Sequence, residues 1–340
     1  MDFSGMVLAL LKESGGPLSG EEMAKRLKVS RNAVWKAVKK LQAAGYEIRA
    51  RTNLGYELIS ESDALLAENV CRRLSGAAQC VTVDIREEVT STNTVLKELA
   101  EQGEKEGHVL IAERQTAGKG RLGRSFASPR GTGLYMSILL RPRFSAEESL
   151  SITTAAAVAV AEAVERVTGR RAMIKWVNDV YLNGYKICGI LTEASIDFET
   201  NGLHYAVLGI GVNLQEPEGG FPGELKEIAG AVYQETEAPP PGIRAALAAE
   251  ILNSFFGFYQ NLEKRPFLSE YRNRSLLTGK KIRFICGKKE LSGTVRGIDE
   301  EARLLVSLEN GEQAAFTAGE VAIDKDFLES LREERERGKE

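Results

Sequence analysis

A glycine-rich basic loop, residues 118–124, is the part of this sequence best suited to chemistry. It satisfies the G-x-G-x-x-G spacing of dinucleotide-binding turns, which require a helix directly after the glycines. Pro129 and two further glycines forbid that helix, and the apolar run 134–140 predicts a strand instead. Another apolar run, 109–112, predicts a strand before the loop. The sequence therefore predicts a loop between two strands that binds phosphate through backbone N–H groups and three cations, Lys119, Arg121 and Arg124.

A basic segment near the N-terminus predicts a DNA-binding domain. Nine lysines and arginines lie from Lys25 to Arg51 against one acid, Glu47, although the whole chain has a formal charge of −3. A capping box that begins at Ser19 and an N-cap at Ser30 predict two consecutive helices. An apolar helix precedes them, so the sequence predicts a small three-helix unit with one basic face.

Two short alternating strands on either side of residues 51–55 add a hairpin with a basic tip. Three helices and such a hairpin form a winged helix-turn-helix, in which helix 30–44 enters the major groove and the hairpin contacts backbone or minor groove. The alternative is a small protein-interaction module with a solvated basic face. The candidate DNA-binding residues are Ser30, Arg31, Asn32, Trp35, Lys36, Arg49 and Arg51.

Length, cysteine usage and hydropathy limit the class of protein. A chain of 340 residues predicts two or three domains. The four cysteines show no C-x-x-C spacing and there are two histidines, so we expect no zinc site. No apolar run reaches the roughly 20 residues of a membrane helix and no signal peptide opens the chain. We therefore expect a cytoplasmic protein with reduced thiols and no membrane partner.

The rest of the sequence predicts a central α/β region followed by short strands. Asn183-Gly184 predicts a tight hairpin turn, and Gly209 and Gly211 inside a predicted strand indicate close approach of a ligand. Short strands between 281 and 308, separated by glycines, predict a small β-barrel. We expect the charged stretch 331–340 to be frayed.

Five short motifs occur in the order seen in biotin–protein ligases: Ser91-Thr92-Asn93, Gln115 with 118–124, Lys175-Trp176-Val177-Asn178-Asp179, Lys186-Ile187-Cys188-Gly189-Ile190-Leu191 and Gly209-Ile210-Gly211-Val212-Asn213. With the winged helix in front, nearly the whole chain resembles the bifunctional biotin ligase and biotin operon repressor family. The sequence departs from the usual family pattern at Phe126, Val177 and Lys119, where Trp, Pro and Arg are common.

The resemblance implies an α+β multidomain fold. A winged helix-turn-helix domain is expected over 1–62, and a mixed α/β ligase domain over 63–275, with a sheet like that of class II aminoacyl-tRNA synthetases. A small SH3-like β-barrel is expected over 276–326, followed by a charged tail over 327–340.

The resemblance also implies a two-step reaction. ATP with Mg²⁺ activates biotin to biotinyl-5′-AMP and pyrophosphate, and a lysine of a biotin carboxyl carrier protein then accepts the biotin. The first step brings two anions together, so cations and amides must offset their repulsion. With biotinyl-AMP bound, the resemblance implies a homodimer that binds operator DNA and represses biotin synthesis genes.

Site residues are implied by the same motifs. The implied catalytic residues are Arg121 and Lys186, and Asp179 is the implied Mg²⁺ ligand. The implied biotin-binding residues are Ser91, Thr92, Asn93, Gln115, Gly118, Arg121 and Lys186. The implied residues for ATP and the adenylate are Lys119, Gly120, Arg121, Gly123, Arg124, Phe126, Lys175, Asn178 and Asn213.

Other interpretations of the residues and of the whole chain stay open. Asp179 is compatible with an Asx turn, Lys186 with an edge-strand charge, and Ser91-Thr92-Asn93 with a helix cap. A lipoyl or octanoyl ligase would share the catalytic fold but should lack the basic glycine loop and the DNA-binding module. A protein kinase is excluded because the sequence contains neither H-R-D nor D-F-G. A ligand-sensing repressor without turnover would have the same pocket.

Overall fold

The computed structural model describes residues 3–43, 46–51, 54–60, 65–142, 149–197, 202–223, 225–234, 236–286, 289–322 and 325–337. The chain divides into two compact units. The first comprises Met1–Arg73 with Pro239–Ala249, and the second Leu74–Ala238 with Glu250–Glu340. Within the described ranges, no helix has both the length and the apolar character that crossing a bilayer requires.

The first unit contains the predicted winged helix-turn-helix. Its elements are α1 (Phe3–Ser14), α2 (Gly20–Leu27), α3 (Arg31–Ala43), β1 (Glu47–Arg51), β2 (Gly55–Ser60) and α4 (Ala67–Cys71). Both predicted N-caps are present, since Ser19 Oγ accepts from Glu22 N at 3.0 Å and Ser30 Oγ accepts from Ala33 N at 3.2 Å. The three helices bury one apolar cluster against the wing, including Val7, Leu8, Leu11, Met23, Val34 and Val38.

The wing is an antiparallel hairpin with an added short strand. Leu18 exchanges two backbone hydrogen bonds with Tyr56, at 2.8 and 2.9 Å, and so extends the β1–β2 pair. The tip of the wing, residues 52–53, and the predicted last helical residue, Ala44, lie outside the described residues.

The second unit is built on a seven-stranded sheet. Its strands are β3 (Thr82–Val89), β4 (His108–Gln115), β5 (Gly133–Leu140), β6 (Met173–Lys175), β7 (Asp179–Leu182), β8 (Tyr185–Asp197) and β9 (Gly202–Asn213). The strand order is β3-β4-β5-β9-β8-β7-β6. β3 and β4 pair in parallel, and the other pairs described are antiparallel. The glycine-rich loop joins antiparallel neighbours β4 and β5, which confirms the strand–loop–strand prediction.

Helices α5 (Thr92–Glu101) and α6 (Ser149–Thr168) pack on this sheet, and α9 (Leu268–Asn273) packs on α6. The chain also forms α7 (Leu225–Ile228) and α8 (Ile243–Tyr259), and the first residues of α8 belong to the first unit. The alanine-rich α6 is buried around most of its circumference, because small side chains allow close packing on more than one side.

A second, five-stranded antiparallel sheet follows, as the sequence predicted. It contains β10 (Lys281–Cys286), β11 (Lys289–Ile298), β12 (Leu304–Leu308), β13 (Gln313–Phe316) and β14 (Glu320–Ala322), in the order β13-β12-β11-β10-β14. Its core includes Phe284, whose ring meets Phe316 edge-on with centroids 4.5 Å apart.

The C-terminal stretch differs from the frayed tail that the sequence suggested. Residues Lys325–Arg337 form helix α10. Phe327, Leu328 and Leu331 share one face and pack with Tyr181 and Leu276. The stretch expected to be frayed begins at Leu331. That expectation does not combine Leu331 with Phe327 and Leu328, which complete the apolar face of the helix. Residues 338–340 lie outside the described ones.

Candidate active site

The glycine-rich loop is a small hairpin. Phe126 N donates to Gly118 O at 2.9 Å, Gly120 N donates to Arg124 O at 2.7 Å, and Lys119 bridges Ser125. Gly118 is buried and has no room for a side chain, because a Cβ there would lie 2.8 Å from Ser128 Oγ. The loop therefore projects its cations from a hydrogen-bonded backbone, and its predicted phosphate-binding residues share one segment.

Arg121 connects this loop to two other parts of the second unit. Its Nη1 donates to Asn178 Oδ1 at 2.7 Å and its Nη2 to Gly319 O at 3.3 Å. Arg124 forms an ion pair with Glu320. Asn178 is buried and donates to Ile190 O at 2.9 Å, which fixes the oxygen that faces Arg121. Two cations of the loop thus already face oxygen acceptors.

Asp179 on β7 and Lys186 on β8 form an ion pair across the hairpin, although Gly189 is the residue paired with Asp179 in the strand register. Lys186 Nζ is 2.7 Å from Asp179 Oδ1, and both side chains are mostly buried, with exposures of 30% and 15%. The hairpin turns at Asn183-Gly184, where both φ angles are positive, as the sequence predicted. The β8–β9 pairing begins at Cys188, and at Lys186 the side away from β7 is covered by a bridge to Ala229, so Lys186 does not lie on an open sheet edge.

Lys175, at the end of β6, adds a further positive charge. Burial lowers the pKa of Lys175, and repulsion from Lys186 and Arg124 contributes, while Asp179 and Glu320 oppose the change. The next residue, Trp176, is buried and donates from Nε1 to Ala302 O at 3.1 Å. The Trp176–Val177 peptide bond, at one of the departures from the family pattern, is cis. The sequence-predicted residues of this motif therefore lie together beside the glycine-rich loop.

A polar cluster surrounds the start of α5. Gln115 Oε1 accepts from Thr92 N at 2.8 Å and from Thr92 Oγ1 at 3.1 Å. Ser137 Oγ lies 2.6 Å from both Thr92 Oγ1 and Asn93 Oδ1, and its single hydroxyl proton is donated to one of them at a time. Asn93 Nδ2 donates to Glu193 Oε2 at 2.9 Å and to Leu191 O at 3.3 Å. Thr92 and Asn93 are therefore held by neighbours from several strands, beyond their role at the helix start.

Three glycines bring the polar cluster and the cations onto one face of the sheet. A Cβ on Gly209 would lie 2.9 Å from Asn93 Cγ, and a Cβ on Gly211 would lie 2.6 Å from the ring of Phe126. A Cβ on Gly189 would lie 3.4 Å from the same ring and 3.6 Å from Lys186 Nζ. Phe126 thus lies between the neighbourhood of Asn93 and that of Lys186. Both β9 glycines are approached closely by Asn93 and Phe126 of the chain itself, and close approach of a ligand there stays a prediction.

Some residues of this region were missed by sequence reasoning. Ser128, Ser137 and Glu193 all bond to predicted site residues, but they are 13 to 100 positions distant from those partners in the chain. Asn213, a predicted adenylate residue, donates to Gly230 O at 3.1 Å. Gly230 N in turn donates to Lys186 O at 2.9 Å, so Asn213 adjoins the loop beside the predicted catalytic lysine.

The fit of Mg²⁺ to Asp179 is limited. Across the described residues, no three His, Cys, Asp or Glu side chains are grouped as metal ligands. Nucleotide-bound Mg²⁺ commonly takes one or two carboxylates, with phosphates and waters as the other ligands. Asp179 offers one carboxylate, and one of its oxygens already neutralises Lys186.

The predicted DNA-binding face is on α3 and the wing. Arg31, Asn32, Trp35 and Lys36 are all exposed, and Trp35 exposes 47% of its surface. Arg31 is 3.8 Å from Glu21, with both side chains mostly in solvent. The wing arginines are paired more closely, Arg49 with Glu47 at 2.7 Å and Arg51 with Glu57. Both wing arginines are therefore ion-paired, whereas Arg31 of α3 has a longer and more exposed contact.

Three family models match the chain in succession. An HTH domain matches residues 6–57, the biotin/lipoate A/B protein ligase family matches residues 86–213, and the biotin protein ligase C terminal domain matches residues 278–324. This order, together with the fold and the site, defines a ligase of the biotin/lipoate class preceded by a helix-turn-helix domain.

Curated relatives extend the similarity over the whole architecture. The chain is 31% identical to the bifunctional ligase/repressor BirA of Bacillus subtilis over 316 residues, covering 92% of this chain and 96% of the relative. It is 28% identical to BirA of Escherichia coli, with coverage of 93% and 96%. The chain belongs to the bifunctional ligase/repressor BirA family.

A solved structure supports the catalytic half. The biotin protein ligase from Aquifex aeolicus in complex with biotin and ATP is 29% identical and superimposes with a TM-score of 0.58. It covers 71% of this chain and 97% of its own length.

Proposed function

We propose that this chain is an ATP-dependent biotin–protein ligase and a biotin-responsive transcriptional repressor. The proposed ligase activity is supported by one observation: a polar cluster and a group of cations share one face of the seven-stranded sheet. A neutral polar cluster around Asn93 lies at one side of Phe126, and the half-buried cations Lys175 and Lys186 lie at the other. This arrangement suits a ligand with an uncharged polar ring at one end and a carboxylate to be joined to phosphate at the other.

In the first step, a carboxylate oxygen of biotin attacks the α-phosphorus of ATP. The new C–O–P bond forms as the bond to the β-phosphate breaks, and pyrophosphate leaves. Arg121 and Lys186 bracket the carboxylate and the α-phosphate, and so offset the repulsion between the two anions. Asn178 and Asp179, which hold these cations in the protein alone, keep their charged groups positioned until the ligands replace them.

The remaining nucleotide contacts come from the same elements. Lys119 and Arg124 bind the polyphosphate together with the N–H group of Gly123, while Gly120, whose N–H donates to Arg124 O, lets the loop backbone approach the nucleotide closely. Lys175 and Asn178 bind the adenylate phosphate, and Phe126 and Asn213 adjoin the nucleotide. Arg124 is paired with Glu320 in the protein alone, so a bound phosphate would share or compete for the same guanidinium.

Biotin binding is proposed for the polar cluster. Ser91, Thr92, Asn93 and Gln115 would pair with the donors and acceptors of the ureido ring, with the close approach allowed by Gly118. A neutral bicycle needs such pairing because an unpaired buried polar group costs about 1–3 kcal/mol.

Mg²⁺ stays a proposal tied to the nucleotide. When present, it neutralises phosphate charge, and Asp179 would be its protein ligand through the oxygen that does not face Lys186. The roles given above to Arg121 and Lys186 do not depend on it.

In the second step, the amine of an acceptor lysine attacks the carbonyl carbon of biotinyl-AMP. An amide forms, AMP leaves and the amine releases its proton. The acceptor is proposed to be a biotin carboxyl carrier protein. Incubation of the purified chain with biotin, ATP and such a carrier should give covalent biotin on the carrier lysine. Lipoate or octanoate should not replace biotin, and transfer of either acid in place of biotin would assign the chain to the other branch of the biotin/lipoate class.

The repressor half rests on the exposed face of α3. One short winged helix with few unpaired cations should bind DNA weakly at physiological salt, so specific binding needs two half-sites held by a homodimer. We propose that biotinyl-AMP favours this dimer. Sedimentation and operator titrations with and without biotinyl-AMP test this, and unchanged assembly and DNA affinity would contradict it.

We propose domain limits at 1–62, 63–275 and 276–326, with a C-terminal segment over 327–340. The three matched ranges lie inside the first three of these limits, which supports them.

A further inference from the structure

Helix α10 lies beyond the last matched family range, which ends at residue 324. Its apolar face packs on the catalytic domain: Leu328 is buried with Tyr181 and Leu276, and Phe327 and Leu331 adjoin them. Tyr181 belongs to β7, the strand that begins with Asp179. The helix therefore contacts the element that carries one half of the Asp179–Lys186 pair.

Arg332 of α10 contacts the other half of the hairpin. Its guanidinium lies over the ring of Tyr185, 4.0 Å from the centroid, within the range of a cation–π interaction. Its Nη2 also donates to Glu227 O at 2.8 Å and to Gly184 O at 3.4 Å. One side chain thus joins the β7–β8 turn to α7.

Tyr185 is held from a second side by the loop after α7. A Cβ on Gly230 would lie 2.6 Å from Tyr185 Cβ, so the backbone of Gly230 packs directly against this residue. Gly230 N donates to Lys186 O at 2.9 Å. Tyr185, the residue before the proposed catalytic lysine, is therefore clamped between α10 and a loop that bonds to the lysine backbone.

The turn itself is built for this contact. Gly184 has φ +76°, and a Cβ there would lie 2.7 Å from Leu328 O and 3.0 Å from Arg332 Cγ. Helix backbone and turn backbone meet without an intervening side chain. A two-residue turn that is covered in this way has less freedom to move than one in solvent.

We propose that α10 is a positioning element of the adenylation site, with Arg332 as its positioning residue. By fixing Tyr185 and the turn, it keeps Lys186 directed at Asp179 and at the anions that replace it. This inference rests on the proposed function. A displacement of about 1 Å in a group that stabilises a transition state can cost roughly 100-fold in rate, so the effect of losing this clamp should appear in kcat.

The test compares point variants on one purified full-length background. Arg332→Ala and Tyr185→Leu should each lower kcat of biotin-dependent adenylation by roughly 3- to 30-fold, the range expected for a partly desolvated cation–π contact. The KM for biotin should change less than twofold, because α10 does not belong to the polar cluster around Asn93. Tyr185→Phe keeps the ring and should retain activity. Glu329→Ala, at an exposed position of the same helix, is the matched control.

The double variant distinguishes a shared role of the two residues from a general loss of stability, because independent losses of stability would add. If Arg332 acts through Tyr185, then Arg332→Ala/Tyr185→Leu should be no slower than either single variant. Wild-type kcat in Arg332→Ala, or a fall in kcat matched by an equal rise in the KM for biotin, would overturn the proposal.

Hydrogen–deuterium exchange separates this inference from the proposed function. Amides in residues 179–189 should exchange faster in Arg332→Ala than in wild type or Glu329→Ala. This expectation does not depend on whether the wild type forms biotinyl-AMP. An inactive wild type with this difference would contradict the ligase proposal alone. Identical exchange in all three proteins would contradict the positioning role alone.

Discussion

Replacing Gly209 by alanine tests the link between the sheet and the proposed biotin site. The new methyl would lie 2.9 Å from Asn93 Cγ and 3.1 Å from Asn93 Nδ2. Carbon atoms pack best at about 3.5–4.0 Å, so Asn93 or strand β9 must move by roughly 0.5 Å or more. Asn93 is fixed by the very neighbours of Gly209, because Ser137 and Leu191 are the cross-strand partners of that glycine.

The cost follows from the contacts that Asn93 would lose. It exchanges hydrogen bonds with Ser137, Glu193 and Leu191. At about 1 kcal/mol net for each bond, displacement of the side chain costs about 2–3 kcal/mol. We expect the Kd for biotin, measured by isothermal titration calorimetry, to rise by at most roughly 30- to 150-fold. The part of this free energy that the unliganded protein already loses should appear as a lower Tm instead.

Gly257→Ala is the matched control. Gly257 lies in α8, and a Cβ there would enter open space among the described residues. Alanine is favoured over glycine inside a helix by about 0.5–1 kcal/mol, so this variant should bind biotin normally and melt slightly higher. If Gly209→Ala bound biotin as tightly as Gly257→Ala, Asn93 would not be part of the biotin site.

Four further predictions concern Lys186, Lys175 and Trp35. Lys186→Ala should slow pyrophosphate exchange by raising its activation free energy by about 2–4 kcal/mol, as for loss of a preorganised donor. Transfer from synthetic biotinyl-AMP should be slowed less. Equal losses in the two assays would contradict the role of Lys186 in adenylation. Burial lowers the pKa of Lys175 below its usual 10.5, so its charge is lost as pH rises through that lowered pKa. As pH rises, kcat/KM for ATP should therefore start to decline before pH 10.5 is reached, and Lys175→Arg should move this decline to higher pH. The folding cost of holding this lysine charged is full below the lowered pKa and disappears as pH approaches 10.5, so a urea titration against pH should show Lys175→Met gaining most stability over wild type at neutral pH. Trp35→Ala should weaken operator binding in a gel-shift titration while leaving biotin transfer unchanged, and a matched loss of transfer would argue against a separate DNA-binding role.

Local signals explain what the sequence could predict. Pro129 and the neighbouring glycines exclude a helix by backbone geometry alone, and Asn183-Gly184 favours its turn for the same reason. The caps at Ser19 and Ser30 act within three residues of themselves. Elements of this kind were placed correctly because the residues that determine them are adjacent in the chain.

Long-range pairs explain what the sequence left open. Glu193 bonds to Asn93 across 100 positions, and Arg124 meets Glu320 across 196, and neither pair leaves a periodic or spacing signal. Helix α10 was missed because its few apolar residues are meaningful only once the turn at Gly184 provides a surface for them. The net charge of the wing could not be predicted either, because it depends on strand pairing: Glu57 on β2 neutralises Arg51 on β1.

The central claim is that the glycine-rich loop and the Asp179–Lys186 hairpin form an adenylation site. Biotin-dependent exchange of labelled pyrophosphate into ATP by the purified chain tests it most directly. We expect exchange with biotin, and loss of exchange in Arg121→Ala even at biotin concentrations high enough to offset the lost contact of Arg121 with the biotin carboxylate. A chain that binds biotin but exchanges no pyrophosphate would be a ligand-sensing repressor without turnover, which would contradict the claim.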